Sequence, residues 1–237
     1  MESGRPTSGL GGTGSASISQ MFIGHFALSF AAKRATPRVQ LAVLFAAAAF
    51  ADLLWPVFLA LGIERVRIDP GNTALTPLDF VSYPYSHSLV MLVIWGVVFG
   101  FAYRAMTGEN GRAFAVLAAL VVSHWVLDFI THRPDMPLYP GGPKLGLGLW
   151  NSVAGTLAIE VPLFVIGVWM YSRATRARDT TGRWAFVSLT ALLFVSYAVN
   201  FVSGPPPSVT ALVVTAVIGT AVLLLWSWWA DRHRAPR

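Results

Sequence analysis

From residue 21 onward the apolar positions run in long blocks, and the polar residues are confined to short gaps between them. Seven apolar segments result, at 21–33, 39–61, 86–103, 113–131, 152–172, 184–202 and 209–230. About 20 residues of helix are needed to cross a bilayer core. Six segments meet that need, whereas 21–33 is marginal and reads as a short or partly inserted helix. Backbone groups in lipid must be satisfied internally, so a chain crosses as helices or as a closed barrel. Barrel strands would be about 10 residues long with alternating polarity. A stretch such as VQLAVLFAAAAFADLLWPVFLALG has no such alternation. The pattern predicts an all-α, polytopic integral membrane protein with six to seven transmembrane helices. Residues 21–230 form a single helical membrane domain, without an evident internal repeat. Residues 1–20 are rich in Gly, Ser and Thr and read as a disordered tail without signal-peptide features. Residues 231–237 read as a cytoplasmic tail.

Composition agrees with the pattern. The 237 residues are 55% hydrophobic and 12% charged, with a mean hydropathy of +0.60. A globular domain carries about twice that share of charge, so a soluble enzyme, a disordered chain and a nucleic-acid-binding domain are excluded. There is no cysteine, which removes disulfides, thiolate metal ligands and thiol catalysis. The net charge of +6 gains meaning from where the basic residues lie. Twelve of the 17 fall in one alternate set of loops: Lys33, Arg34, Arg38, Arg104, Arg112, Arg173, Arg176, Arg178, Arg183, Arg232, Arg234 and Arg237. Arg5, Arg65, Arg67, Arg133 and Lys144 fall in the other. Basic loops stay in the cytoplasm. The C-terminus is therefore expected inside, and the loops 62–85 and 132–151 outside, in a plasma or inner membrane.

Ionisable groups at membrane depth are costly and mark function by default. Seven occur here: His25, Asp52, His87, His124, Asp128, His132 and Glu160. With the topology above, all seven fall in the outer half. His124 and Asp128 stand four apart and share one helix face, and His132 follows four residues later, before Pro134. Imidazole and carboxylate are the usual zinc ligands where cysteine is absent. Four His and three acids exceed what one tetrahedral ion requires, so two or three ions use them better. The bland reading is hydrogen bonding between helices, and it applies most to Glu160. Asp69, Asp79 and Asp135 read as solvated or capping residues of the outer loops, His233 as an unremarkable tail residue, and the Trp residues as interface anchors. No GxSxG, phosphate-binding glycine loop or HExxH is present. Ser86 and Ser88 flank His87 without an acid nearby in sequence.

The order Gly24-His25, Asp52, Ser86-His87-Ser88 and His124-xxx-Asp128 followed by Thr131 resembles the bacterial membrane-bound metal-dependent hydrolase family, the YdjM-like inner-membrane proteins. The resemblance covers about residues 21–165. That family in turn resembles the zinc-dependent phospholipase C and single-strand nuclease superfamily, whose helical domains hold three zinc ions. Carried over, the resemblance implies that Asp52, His87, His124 and Asp128 hold one zinc. Asp128 would bridge to a second ion held by His25, and His132 with Glu160 would hold a third. Two departures stand out. Residue 25 is internal where the soluble enzymes use a free N-terminus, and Thr156 stands where their HxxxE has its His.

The resulting expectation is a zinc-dependent hydrolase with two or three ions. It would act in the outer leaflet on a phosphoester of a phospholipid or lipid-linked substrate, with Asp52 or Asp128 orienting the attacking water. No nucleic-acid partner is expected. The alternatives are a divalent-cation or proton transporter, and a structural membrane protein without catalysis. Transporter sites lie near the midplane between repeats, and this chain shows neither feature in sequence.

Overall fold

Apolar runs become helices throughout the computed structural model, which describes residues 23–109 and 111–237. The tail read at 1–20 and the first two residues of the segment 21–33 lie outside the described residues. In chain order come α1 (Ile23–Ala32), α2 (Leu41–Ala48), α3 (Phe50–Ala60), β1 (Arg65–Ile68), β2 (Leu78–Ser82), α4 (Pro84–His87), α5 (Leu89–Thr107) and α6 (Gly111–Thr131). These are followed by β3 (Met136–Pro137), β4 (Lys144–Leu145), α7 (Val153–Ala174), β5 (Thr175–Ala177), α8 (Thr180–Asn200), α9 (Val209–Arg232) and β6 (Arg234–Pro236). The strands form three separate antiparallel pairs, β1 with β2, β3 with β4 and β5 with β6. The fold is all-helical apart from these small ladders.

Five helices, α5 to α9, are long and apolar enough to cross a membrane, and α2 with α3 makes a sixth, bent by 58°. The described part of α1 has ten residues, about 15 Å of helix, which is too short to span by itself. Among the described residues five or six helices are long and apolar enough to span, in keeping with the polytopic all-α fold the sequence predicts. Large apolar side chains point outward on the long helices, among them Phe101, Trp169, Val195 and Ile218, each more than half exposed. Such a belt belongs against lipid, and the fold is that of a multi-pass membrane protein.

The segment 39–61, read from the sequence as one span, is bent in the structure. It breaks at Ala49, whose φ of −96° and ψ of 18° leave the helical region. Neither proline nor glycine sits at the break. Instead the Nδ1 of His124 lies 2.8 Å from the Ala48 carbonyl, which is diverted from the helix ladder. A side chain inserted in this way is a recognised cause of sharp bends.

Close packing orders the bundle around α1, α2 and α6. α5 lies along α6, and α1 along α7. Gly96 and Gly100 form a GxxxG face, and a Cβ at Gly96 would meet the Ala118 carbonyl at 2.8 Å. Small residues let membrane helices approach this closely. Ser152, Asp179 and Ser208 cap α7, α8 and α9 by accepting from the amides of Gly155, Gly182 and Ala211.

Among the described residues, basic side chains from the two groups anchor different parts of the fold. In one part Arg67 and Arg133 both pair with Asp79, and Lys144 donates to the Val81 carbonyl. In another, buried Lys33 donates to Asp231 at 2.6 Å and to the Val39 carbonyl at 2.7 Å. Asp231 also accepts from the Leu41 amide and the Tyr171 hydroxyl. The segment 231–237 is accordingly no loose tail: α9 runs to Arg232, and β6 pairs with β5.

Candidate metal centre

Asp128, on the inward face of α6, is the hub of the site and is 4% exposed. Its two oxygens face different partners. Oδ2 lies 3.2 Å from His124 Nε2, 3.9 Å from His87 Nε2 and 3.9 Å from His132 Nε2. Oδ1 lies 3.2 Å from His25 Nε2. Asp52, one turn beyond the bend, points its Oδ1 to within 3.6 Å of His87 Nε2 and 3.8 Å of His124 Nε2. The four His and Asp128 are buried, whereas the Asp52 side chain is 36% exposed and forms the open side. His25 and His124 stack with ring centroids 4.0 Å apart.

Three of the imidazoles have their outer nitrogen held. His124 Nδ1 is bonded to the Ala48 carbonyl at 2.8 Å. His87 Nδ1 meets Ser86 Oγ at 2.7 Å, and Ser86 donates to Glu64 Oε2 at 2.6 Å. Glu64 is itself fixed by the Tyr85 and Ser86 amides. His132 Nδ1 sits 3.0 Å from Asp135 Oδ1, which also accepts from the Tyr83 hydroxyl at 2.9 Å. Burial and the neighbouring Asp135 carboxylate push the Tyr83 hydroxyl well above its ordinary pKa, so it stays a donor. Each ring is thereby aimed with Nε2 inward, the arrangement in which an outer partner fixes the tautomer of a metal-binding histidine.

The donor set fits a small divalent ion. Ligands at about 2.0–2.1 Å from a tetrahedral zinc stand roughly 3.3 Å from one another. The N···O separations among His87, His124, Asp52 and Asp128 are 3.2, 3.6, 3.8 and 3.9 Å, close to that edge. Two overlapping trios bring their ligand atoms within 4.8 Å of one another: His25, Asp52 and His124; and His87, His124 and Asp128. The space between the groups is about 20 Å³, room for a water-sized occupant. Trp55, Phe80 and Trp150 complete the wall. The Trp55 indole Nε1 is buried with no hydrogen-bond partner among the described residues, in the lining of the same small cavity.

Two readings of the sequence need correction. His132 and Glu160 do not form a joint site. His132 turns to Asp128, Asp135 and Trp150, while Glu160 is buried beside the Tyr197 hydroxyl and the Ile23 amide. α7 packs chiefly along α1, and Glu160 remains near enough to Asp128 for the two carboxylates to interact. Asp79 and Asp135, expected as solvated or capping, are 8% and 6% exposed and hold the two loops over the site. The sequence reading also passed over Glu64. It supplies the acid that Ser86 lacks nearby in sequence, but Ser86 Oγ is engaged on both sides by Glu64 and His87. It is a relay that orients His87, not a free nucleophile.

No protein family, curated protein or solved structure matches this chain.

Proposed function

We propose that the chain is a membrane-embedded, metal-dependent hydrolase that cleaves a phosphoester of a phospholipid or lipid-linked substrate. The observation that carries the reading is the convergence of four imidazole Nε2 atoms on the two oxygens of Asp128, three of those rings being held from behind. Asp128 would join two ions. His87, His124 and Asp52 would complete one on its Oδ2 side, and His25 would hold the other on its Oδ1 side. Bound divalent metal would lower the pKa of water toward 7 and offset charge on a phosphoryl oxygen. Asp52, as the exposed carboxylate, would orient the incoming water. The Trp55 N–H would donate to the substrate, and the Trp150 and Phe80 rings would exclude bulk water. The resemblance to the YdjM-like hydrolases points to the same chemistry.

The basic residues favour an orientation with the C-terminus in the cytoplasm and the site on the other side, at headgroup depth. A reporter fused after Arg237 should read cytoplasmic, and one inserted in the loop 132–151 extracytoplasmic. The chemistry is tested on purified protein by metal analysis and by hydrolysis of a chromogenic phosphodiester. Bound zinc with turnover that Asp52→Asn abolishes is expected. Metal passage across vesicles without any hydrolysis would establish transport instead.

A further inference from the structure

At the end of the bundle opposite the metal centre, a second cavity of about 430 Å³ opens between the α1–α2 loop and the end of α7. Lys33, Arg34, Arg173 and Arg237 line it, with Trp169 and Met170, and no acidic residue does. Lys33 is already matched by Asp231. Arg34, Arg173 and Arg237 are exposed and pair with no carboxylate among the described residues. The pocket therefore presents three unmatched guanidinium groups around one hollow. Topology alone would be served by the same charges spread over the surface, and it needs no hollow.

The apolar side of the pocket indicates what fills it. Ile166, Trp169 and Arg173 follow at i, i+3 and i+7, on one face of α7. Ile166 is 52% and Trp169 57% exposed, so a lipid-facing stripe leads directly to the Arg173 guanidinium. A free anion would draw nothing from that stripe, whereas a phospholipid would use both parts. Guanidinium groups bind phosphate oxygens bidentately, and basic pockets between helices at the membrane surface take up lipid headgroups.

We propose that this pocket binds the headgroup phosphate of an anionic phospholipid from the leaflet at this end of the bundle, with its acyl chains along the Ile166–Trp169 stripe. The site is independent of the metal centre and would hold a structural or regulatory lipid.

The test uses the full chain in neutral detergent, with native mass spectrometry and thermal unfolding as readouts. Phosphatidylglycerol should remain bound and raise the unfolding midpoint, whereas phosphatidylcholine and inorganic phosphate should not. Each membrane-surface charge contributes about a factor of five, so Arg34→Gln with Arg173→Gln should weaken phosphatidylglycerol binding roughly thirtyfold. The two single variants should each lose about fivefold, which keeps the test sound if the double variant folds poorly. Undiminished binding in all three variants, or no lipid effect on the wild type, overturns the proposal. So does a midpoint shift that inorganic phosphate alone reproduces, since that result marks a free-anion site.

Discussion

His25 and His124 lie face to face, with ring planes 5° from parallel and centroids 4.0 Å apart. His124 reaches Asp128 through Oδ2 and His25 reaches it through Oδ1. The stack therefore joins the two halves of the candidate centre and makes them separable. His25→Phe keeps a ring against His124 while removing the nitrogen on the Oδ1 side. Metal analysis should find the content of the variant reduced to about half of wild type, with the Oδ2-side ion retained. Loss of all metal would show that the two halves are one site.

Without metal, the Asp52 and Asp128 carboxylates are offset only by the imidazoles beside them, which must carry protons in a buried site to do so. Divalent metal relieves that cost and so should stabilise the fold. Chelation is expected to lower the thermal midpoint of the detergent-solubilised protein, and zinc to restore it. Asp128→Asn keeps the shape and removes the bridging charge, so its midpoint should respond to neither treatment. A wild-type curve indifferent to chelator would favour a hydrogen-bond network in place of a metal centre.

Ser86 and Glu64 are not themselves proposed ligands, yet they aim His87 from behind. Ser86→Ala and Glu64→Gln should weaken zinc affinity about 10- to 100-fold, the usual effect of losing such a partner. Titration with a competing chelator measures this directly. An unchanged affinity in both variants would reduce the relay to a loop fastening.

The helices were legible because lipid imposes length and apolarity on each span, and so were Asp52, His87, His124 and Asp128, whose polarity breaks those runs. The bend at Ala49 was not, because AAAAF carries no breaker and its cause, the His124 ring, lies on another helix. Glu64 escaped notice because Ser86, 22 residues away in sequence, becomes its neighbour only after β1 pairs with β2. Glu160 was grouped with the ligands because position along a helix gives depth. The direction in which a side chain points around the bundle depends on neighbours that the sequence does not reveal.

That difference is itself testable. Glu160 sits beside Tyr197 and the Ile23 amide, with one carboxyl oxygen unpaired among the described residues. Glu160→Gln should leave metal content and hydrolysis within about twofold of wild type while shifting the thermal midpoint. A loss of metal comparable to that in Asp128→Asn would return Glu160 to the ligand set.

The packing of α1 on α7 has a bearing on how the protein is made. Every proposed ligand lies between residues 25 and 132, so the nascent chain has presented them all before α7 is synthesised. The main support of α1 is α7, where Gly167 admits the Ala27 backbone. His25 is thus the first ligand to leave the ribosome and would be the last to reach its place. Until α7 is inserted, the half-built bundle would display a site with the His25 side missing.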